Sequence, residues 1–247
     1  MQSLKNKVAI VTGSSRGIGA HLARELAKAG ARVIVNYAGN KSAADQVVTE
    51  IHSGGGDAIV LQADISKVSE VKAMFDAAAI AKFGKIDILV NNAGVIVYKK
   101  IQDTTDEDFD RIFAVNVKVT FNTLREAAAR IEDGGRIVNF SSSVTRLMLP
   151  TYGAYSATKG AVEQLTRVFA KEVGSRRITV NSISPGPTHT ELFNEGKSED
   201  DIKRLSSMAA LGRIGEPDDI ARVVLFLVSE EAAWVTGQNL GVNGGFA

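Results

Sequence analysis

The sequence contains no cysteine. Disulfides, thiolate metal sites and cysteine nucleophiles are thereby excluded, and the absence fits a reducing compartment. Proline is scarce, 4 in 247 residues, and no Pro- or Gly-rich linker divides the chain. Charge of one sign is missing too: 29 Lys+Arg against 28 Asp+Glu leave a formal charge of +1. Such a balance gives no global attraction to nucleic acid or to an acidic membrane surface. No run of about 18 apolar residues occurs, so no transmembrane helix is expected. The opening MQSLKNKVAIVTG lacks a long apolar stretch with a small-residue cleavage site, and a cytoplasmic protein is the expectation. His21, His52 and His189 share no metal-ligand spacing, so no metal is expected.

What is present is an alternation. β-branched runs at 7–12, 32–37, 57–62, 86–91, 136–141, 177–184 and 238–242 alternate with helical spacing at 17–29, 41–53, 67–83, 106–131, 154–173 and 217–228. Near-continuous apolar strands separated by helices predict an α/β fold, a doubly wound parallel sheet of seven strands covered on both faces. The whole chain, 1–247, reads as a single domain with one irregular insertion, whose lid is expected at 188–211. Ser198 before an acidic run looks like a helix cap there, and Leu192, Phe193 and Met208 are candidate apolar contacts.

Chemistry-bearing residues collect at the expected carboxyl ends of the strands. Gly13, Ser15, Arg16, Gly17, Ile18 and Gly19 form a G-x-x-x-G-x-G loop between the first strand and first helix. Glycines permit a tight turn, and a helix N-terminus offers N–H groups to a pyrophosphate. Alone, such a loop is equally compatible with an ordinary turn. Asn91, Ala93 and Gly94 close the fourth strand, and Pro185, Gly186 and Thr188 close the sixth. Tyr155 and Lys159 are spaced i, i+4, hence on one helix face, and Ser142 follows the fifth strand. Counting back from Tyr155 favours Ser142 over its neighbours Ser141 and Ser143, which strand alternation turns to the opposite face.

TGSSRGIG, NNAG, the Asn116 of FAVNV, Ser142 with YSATK, and PGPTHT occur in one order and spacing along the whole chain. In this the sequence resembles the short-chain dehydrogenase/reductase family, near the 3-oxoacyl-acyl-carrier-protein reductases and related carbonyl reductases. The resemblance implies a Rossmann-like sheet, nicotinamide chemistry and a homotetramer. It also implies that Lys159 holds the nicotinamide ribose and that Asn116 supports a proton relay behind the lysine.

Reducing a carbonyl requires a donor to the developing alkoxide and then a proton. Tyr155 can supply both, Lys159 can favour its phenolate, and Ser142 can donate to the substrate oxygen. An NAD site commonly carries an acidic residue at the end of the second strand. Asn36 and Tyr37 stand there instead, with Arg16 and Lys41 available to a 2′-phosphate, so NADP(H) is expected. Asp64 and Ile65, after the third strand, are expected beside the adenine. The substrate expectation is a small-molecule ketone or aldehyde. The alternative is an acyl-carrier-protein substrate, since Arg176 resembles a carrier-docking residue; acidic Glu132 and Asp133 oppose it. A non-catalytic dinucleotide-binding sensor is the third reading, because a fold alone does not establish activity.

Overall fold

A computed structural model of the chain describes residues 3–77, 83–194 and 197–247, apart from the side chains of Leu192 and Asn194. Seven strands, β1 Val8–Val11, β2 Arg32–Tyr37, β3 Asp57–Gln62, β4 Ile88–Asn91, β5 Arg136–Phe140, β6 Thr179–Pro185 and β7 Asn239–Val242, form one sheet. Their order is β3-β2-β1-β4-β5-β6-β7, with every pairing parallel. The expected doubly wound, seven-stranded parallel sheet is therefore the observed fold. The connection from β1 runs to β2 on one side, and the one from β3 crosses back to β4 on the other side of β1. Loops at the carboxyl ends of β1 and β4 therefore part and open a crevice.

Alternation along the strands builds two cores. In β1, Ala9 and Val11 join one apolar cluster, whereas Val8 and Ile10 join the other. The first cluster receives Leu22 and Leu26 of α1 (Gly17–Lys28), Val47 of α2 (Lys41–Ser53) and Val224 of α10 (Pro217–Leu227). The second receives Phe75 of α3 (Val68–Asp76), Leu124 of α5 (Val119–Arg130) and Phe169 of α7 (Gly153–Glu172). Both faces of the sheet are covered, which is why its central strands β1 and β4 are nearly all apolar.

Several boundaries differ from the sequence expectation. The expected helix at 106–131 is α4 (Asp106–Phe113), one π turn (Ala114–Lys118) and then α5. Periodicity alone cannot see such a turn, because it adds one residue without ending the helix. β6 starts two residues late, since Arg177 takes φ +57° and interrupts extended backbone. The expected helix at 67–83 is seen as α3; Phe83 is a bend, and residues 78–82 lie outside the described residues. Within the expected lid are the short α8 (Glu191–Asn194) and α9 (Glu199–Met208). Ser198 caps α9 in a reciprocal box with Asp201, as its sequence suggested. A further one-turn helix, α6 (Val144–Leu147), follows β5. No helix among the described residues is long and apolar enough to cross a membrane.

Candidate active site

A cleft of about 1010 Å³ lies over the carboxyl ends of β1 and β4. Its floor is the glycine loop. Gly13 and Gly17 take φ of +60° and +57°, which side-chain-bearing residues rarely adopt. A β-carbon on Gly13 would lie 3.0 Å from Ala93 Cα, and one on Gly19 only 2.5 Å from Asn92 Nδ2. Gly13 is thus required by packing as well as by the turn, Gly17 by the turn and Gly19 by packing. Arg16 is the N-cap of α1 and makes no side-chain cap bond. The first-turn N–H groups of α1 have no helical acceptor, and Gly17, Ile18 and Gly19 line the cleft. Ser15 and exposed Arg16 stand on the same rim. Cradle and donor set together fit a dinucleotide pyrophosphate.

At the far end of β2 the expectations need revision. Asn36 borders the cleft, but its amide is already engaged. Its Oδ1 accepts from Gly13 N at 3.2 Å, and its Nδ2 donates to the carbonyls of Ala63 (3.1 Å) and Leu61 (3.4 Å). Asn36 therefore ties the glycine loop to β3. Tyr37 is buried in the apolar core and is not part of the cleft wall, because strand alternation turns it away. Ala38, Gly39 and Asn40 form that wall instead. Lys41 pairs with Asp45 at 2.6 Å. Asp64 and Ile65 do line the cleft. Asp64 accepts from Ser66 Oγ at 2.7 Å, and that bond above all holds its carboxyl below the usual carboxylate range.

The fourth strand gives a second correction. Asn91 is buried away from the cleft wall. It donates to Asn139 Oδ1 (2.9 Å) and accepts from Thr123 (2.8 Å), while Asn139 continues to Thr166 (2.9 Å), so this polar chain anchors α5 and α7 to the sheet. Its neighbour Asn92 is the cleft residue, donating to the carbonyls of Thr12 and Gly13 at 3.0 and 3.1 Å. The doubled Asn of NNAG hid this, although period-two alternation separates the pair. Ala93 and Gly94 border the cleft as expected, as do Pro185, Gly186 and Thr188.

Ser142, Tyr155 and Lys159 meet in this cleft. β5 ends at Phe140, so strand alternation does not reach the serines; local bonds select Ser142 instead. Ser141 Oγ bonds Glu163, and Ser143 Oγ donates to the Ser184 carbonyl. Burial pushes the Tyr155 phenol up to about 12, partly offset by its hydrogen bond with Ser142. Burial also pulls Lys159 down to about 8. Its Nζ lies 5.7 Å from the Tyr155 ring centre and donates to the Phe140 carbonyl at 2.8 Å. The phenol is thus not lowered toward neutrality by the lysine in the protein alone. Asn116, buried in the π turn, does not border the cleft. Its amide bonds both backbone groups of Val95 (2.8 and 2.9 Å) and Thr158 Oγ1 (3.0 Å). A β-carbon on Gly94 would come 3.3 Å from Asn116 Oδ1 and 3.4 Å from Lys159 Nζ, so only glycine fits between them comfortably.

Sequence reasoning missed Tyr98, which lines the cleft and meets the Tyr152 ring edge-on at 5.1 Å. No motif surrounds it. Phe193, expected in the lid, is in the wall. Met208 is partly exposed and outside the wall, and the side chain of Leu192 lies outside the described residues. Arg176 is committed to Asp133 (2.7 Å) and to the Ala128 and Ile131 carbonyls.

Known proteins resemble the chain over nearly its whole length. The family model described as Enoyl-(Acyl carrier protein) reductase matches residues 13–247. An NADPH-dependent aldehyde reductase-like protein, chloroplastic, of Arabidopsis thaliana is 43% identical, over 98% of this chain and 95% of its own. A short-chain dehydrogenase/reductase from Serratia marcescens superposes with TM-score 0.94 at 36% identity, covering 99% of both chains. The angucycline C-6 ketoreductase LanV, with bound NADP, gives 0.92 at 40% identity, covering 99% of this chain and 97% of its own. Motif order, strand order and these likenesses converge, and the chain belongs to the short-chain dehydrogenase/reductase family of oxidoreductases.

Proposed function

We propose that the protein is an NADPH-dependent carbonyl reductase, a single catalytic domain over 1–247 that converts a ketone or aldehyde to an alcohol. The observation that carries this reading is the meeting of Ser142, Tyr155 and Lys159 in the cleft that also holds the glycine loop. NADPH held in the cleft would supply hydride to the carbonyl carbon. Tyr155 donates its phenolic proton to the carbonyl oxygen, and Ser142 donates a hydrogen bond to the same atom. Tyr155 is the third residue of α7, where the helix N-terminus favours the phenolate left behind. Lys159 adds a positive charge beside it and would hold the nicotinamide ribose. Asn116 holds the Val95 backbone behind the lysine and belongs to the proton path there.

Gly13, Ser15, Gly17, Ile18 and Gly19 hold the pyrophosphate, with Asp64, Ile65, Ala93 and Gly94 along the adenosine and ribose side. Pro185, Gly186 and Thr188 face the nicotinamide, and 188–211 forms the lid. NADP(H) is favoured because, among the described residues, Asp64 and Glu191 are the only acidic ones of the cleft wall and neither follows β2. Exposed Arg16 offers a planar fork to a 2′-phosphate. A named NADPH-dependent relative and an NADP-bound neighbour support the same choice.

The assembly proposed is a homotetramer. An apolar groove on α4, the π turn, α5 and α7, lined by Phe113, Val117, Phe121, Leu165 and Val168, suits a second copy. Light scattering tests it, and Val168→Asp should lower the assembly order. The function itself is tested by steady-state kinetics on ketones, 3-oxoacyl thioesters and sugars with NADPH. Turnover of a simple ketone is expected. Cofactor binding without turnover of any carbonyl would favour the sensor reading.

A further inference from the structure

Glu163 lies one helical turn beyond Lys159 on α7, with a side chain only 12% exposed. Its Oε1 receives two hydroxyls from the loop after β5: Ser141 Oγ at 2.7 Å and Thr145 Oγ1 at 2.9 Å. These two residues bracket Ser142. Each hydroxyl also has a main-chain alternative: the Lys159 carbonyl for Ser141 (3.4 Å) and the Ser142 carbonyl for Thr145 (3.0 Å). A carboxylate oxygen is a stronger acceptor than a main-chain carbonyl, so Oε1 accepts the shorter hydrogen bond from each hydroxyl and leaves the carbonyls as secondary partners. The other oxygen, Oε2, faces the half-exposed Arg167 guanidinium at 3.8 Å.

We propose that Glu163 is a positioning residue for Ser142. The serine stands on a loop, whereas Tyr155 and Lys159 stand on a helix. One carboxylate on that helix clamps the loop on both sides of the serine and so sets the spacing of Ser142 from Tyr155. The Lys159–Phe140 bond fixes the strand end before this loop but does not reach past Ser142. Without Glu163 the two hydroxyls fall back on main-chain carbonyls. Ser142 then loses its register against the phenol while the cofactor cradle, built on other loops, stays intact. The inference rests on the proposed reductase chemistry.

The test is a double-mutant cycle in the full-length protein. Glu163→Ala should lower kcat by about 10- to 100-fold, the scale on which small misplacements act, with the NADPH KM nearly unchanged. Glu163→Gln keeps an amide oxygen able to accept both hydroxyls and should recover kcat to within about threefold of wild type. In a Ser142→Ala background, Glu163→Ala should cost less than about threefold more, since the two act as one unit. An equal loss with and without Ser142, or a Gln variant as impaired as Ala, overturns the proposal. If Glu163→Ala does not fold, Ser141→Ala and Thr145→Val, which each remove one clamp bond, take its place in the cycle.

A crystal structure of the same variant reads the clamp without turnover. Ser142 Oγ leaving hydrogen-bond reach of Tyr155 supports the inference, and an unmoved Ser142 overturns it. An inactive wild type with an intact clamp would count against the reductase reading alone.

Discussion

Lys159 Nζ donates to the main-chain carbonyl of Phe140 across 2.8 Å. Phe140 is the last residue of β5, so this bond ties the ammonium of α7 to the strand that leads into Ser142. The lysine is thereby buried with a hydrogen bond but no carboxylate of its own, which is why desolvation dominates its titration.

That titration predicts a pH signature in stability. Lys159 is lowered to about 8 in the folded protein, against 10.5 for an ordinary lysine. The folded state therefore loses its proton first, and stability rises with pH between those values as far as this group is concerned. Replacing it by Met removes that contribution. The Tm difference between Lys159→Met and wild type should be constant below pH 8 and shift in favour of wild type from there toward 10.5. Thermal melts across that range check the sign.

Tyr155→Phe removes the proton donor but not the ring. Fold and NADPH affinity should survive, while kcat falls by about 10²–10⁴, the usual scale for a general acid. Near-normal turnover would exclude Tyr155 as the donor.

Ser142 and Ser143 should separate cleanly. Ser142→Ala should reduce kcat with little change in Tm. Ser143 Oγ donates to the Ser184 carbonyl and accepts from Asn243 Nδ2 at 3.0 Å. Ser143→Ala should therefore lose about 1–3 kcal/mol of stability, the cost of removing a donor from the buried Ser184 carbonyl, and keep most of its kcat. Denaturant melts beside kinetics distinguish the two outcomes.

Cofactor preference should favour NADPH over NADH by at least about tenfold in kcat/KM, the scale of a charge-assisted contact. Arg16→Ala should erode it. Asn36→Asp, attractive from sequence as a switch toward NADH, should instead lower Tm with either cofactor. Its carboxylate would face the Leu61 and Ala63 carbonyls, where the amide now donates. Kinetics with both cofactors and melts of the two variants check this.

How much of this the sequence determined can be followed residue by residue. The alternation of β-branched runs with helical spacing was enough for the parallel sheet, because burial on both faces forces that composition. The glycine loop and the Tyr155–Lys159 pair were equally legible, because both depend on spacing within one local element. Tertiary structure decided the rest. Whether Asn91 or Asn92 faces the cleft, and whether Asn36 meets a ligand or holds Gly13, depends on which strands pair and which carbonyls end nearby. Tyr98 and Glu163 carry no motif, because their neighbours come from segments far away in the chain. Short-range pattern fixes the period and the turn, but a buried polar side chain takes its role from the partners the fold brings to it.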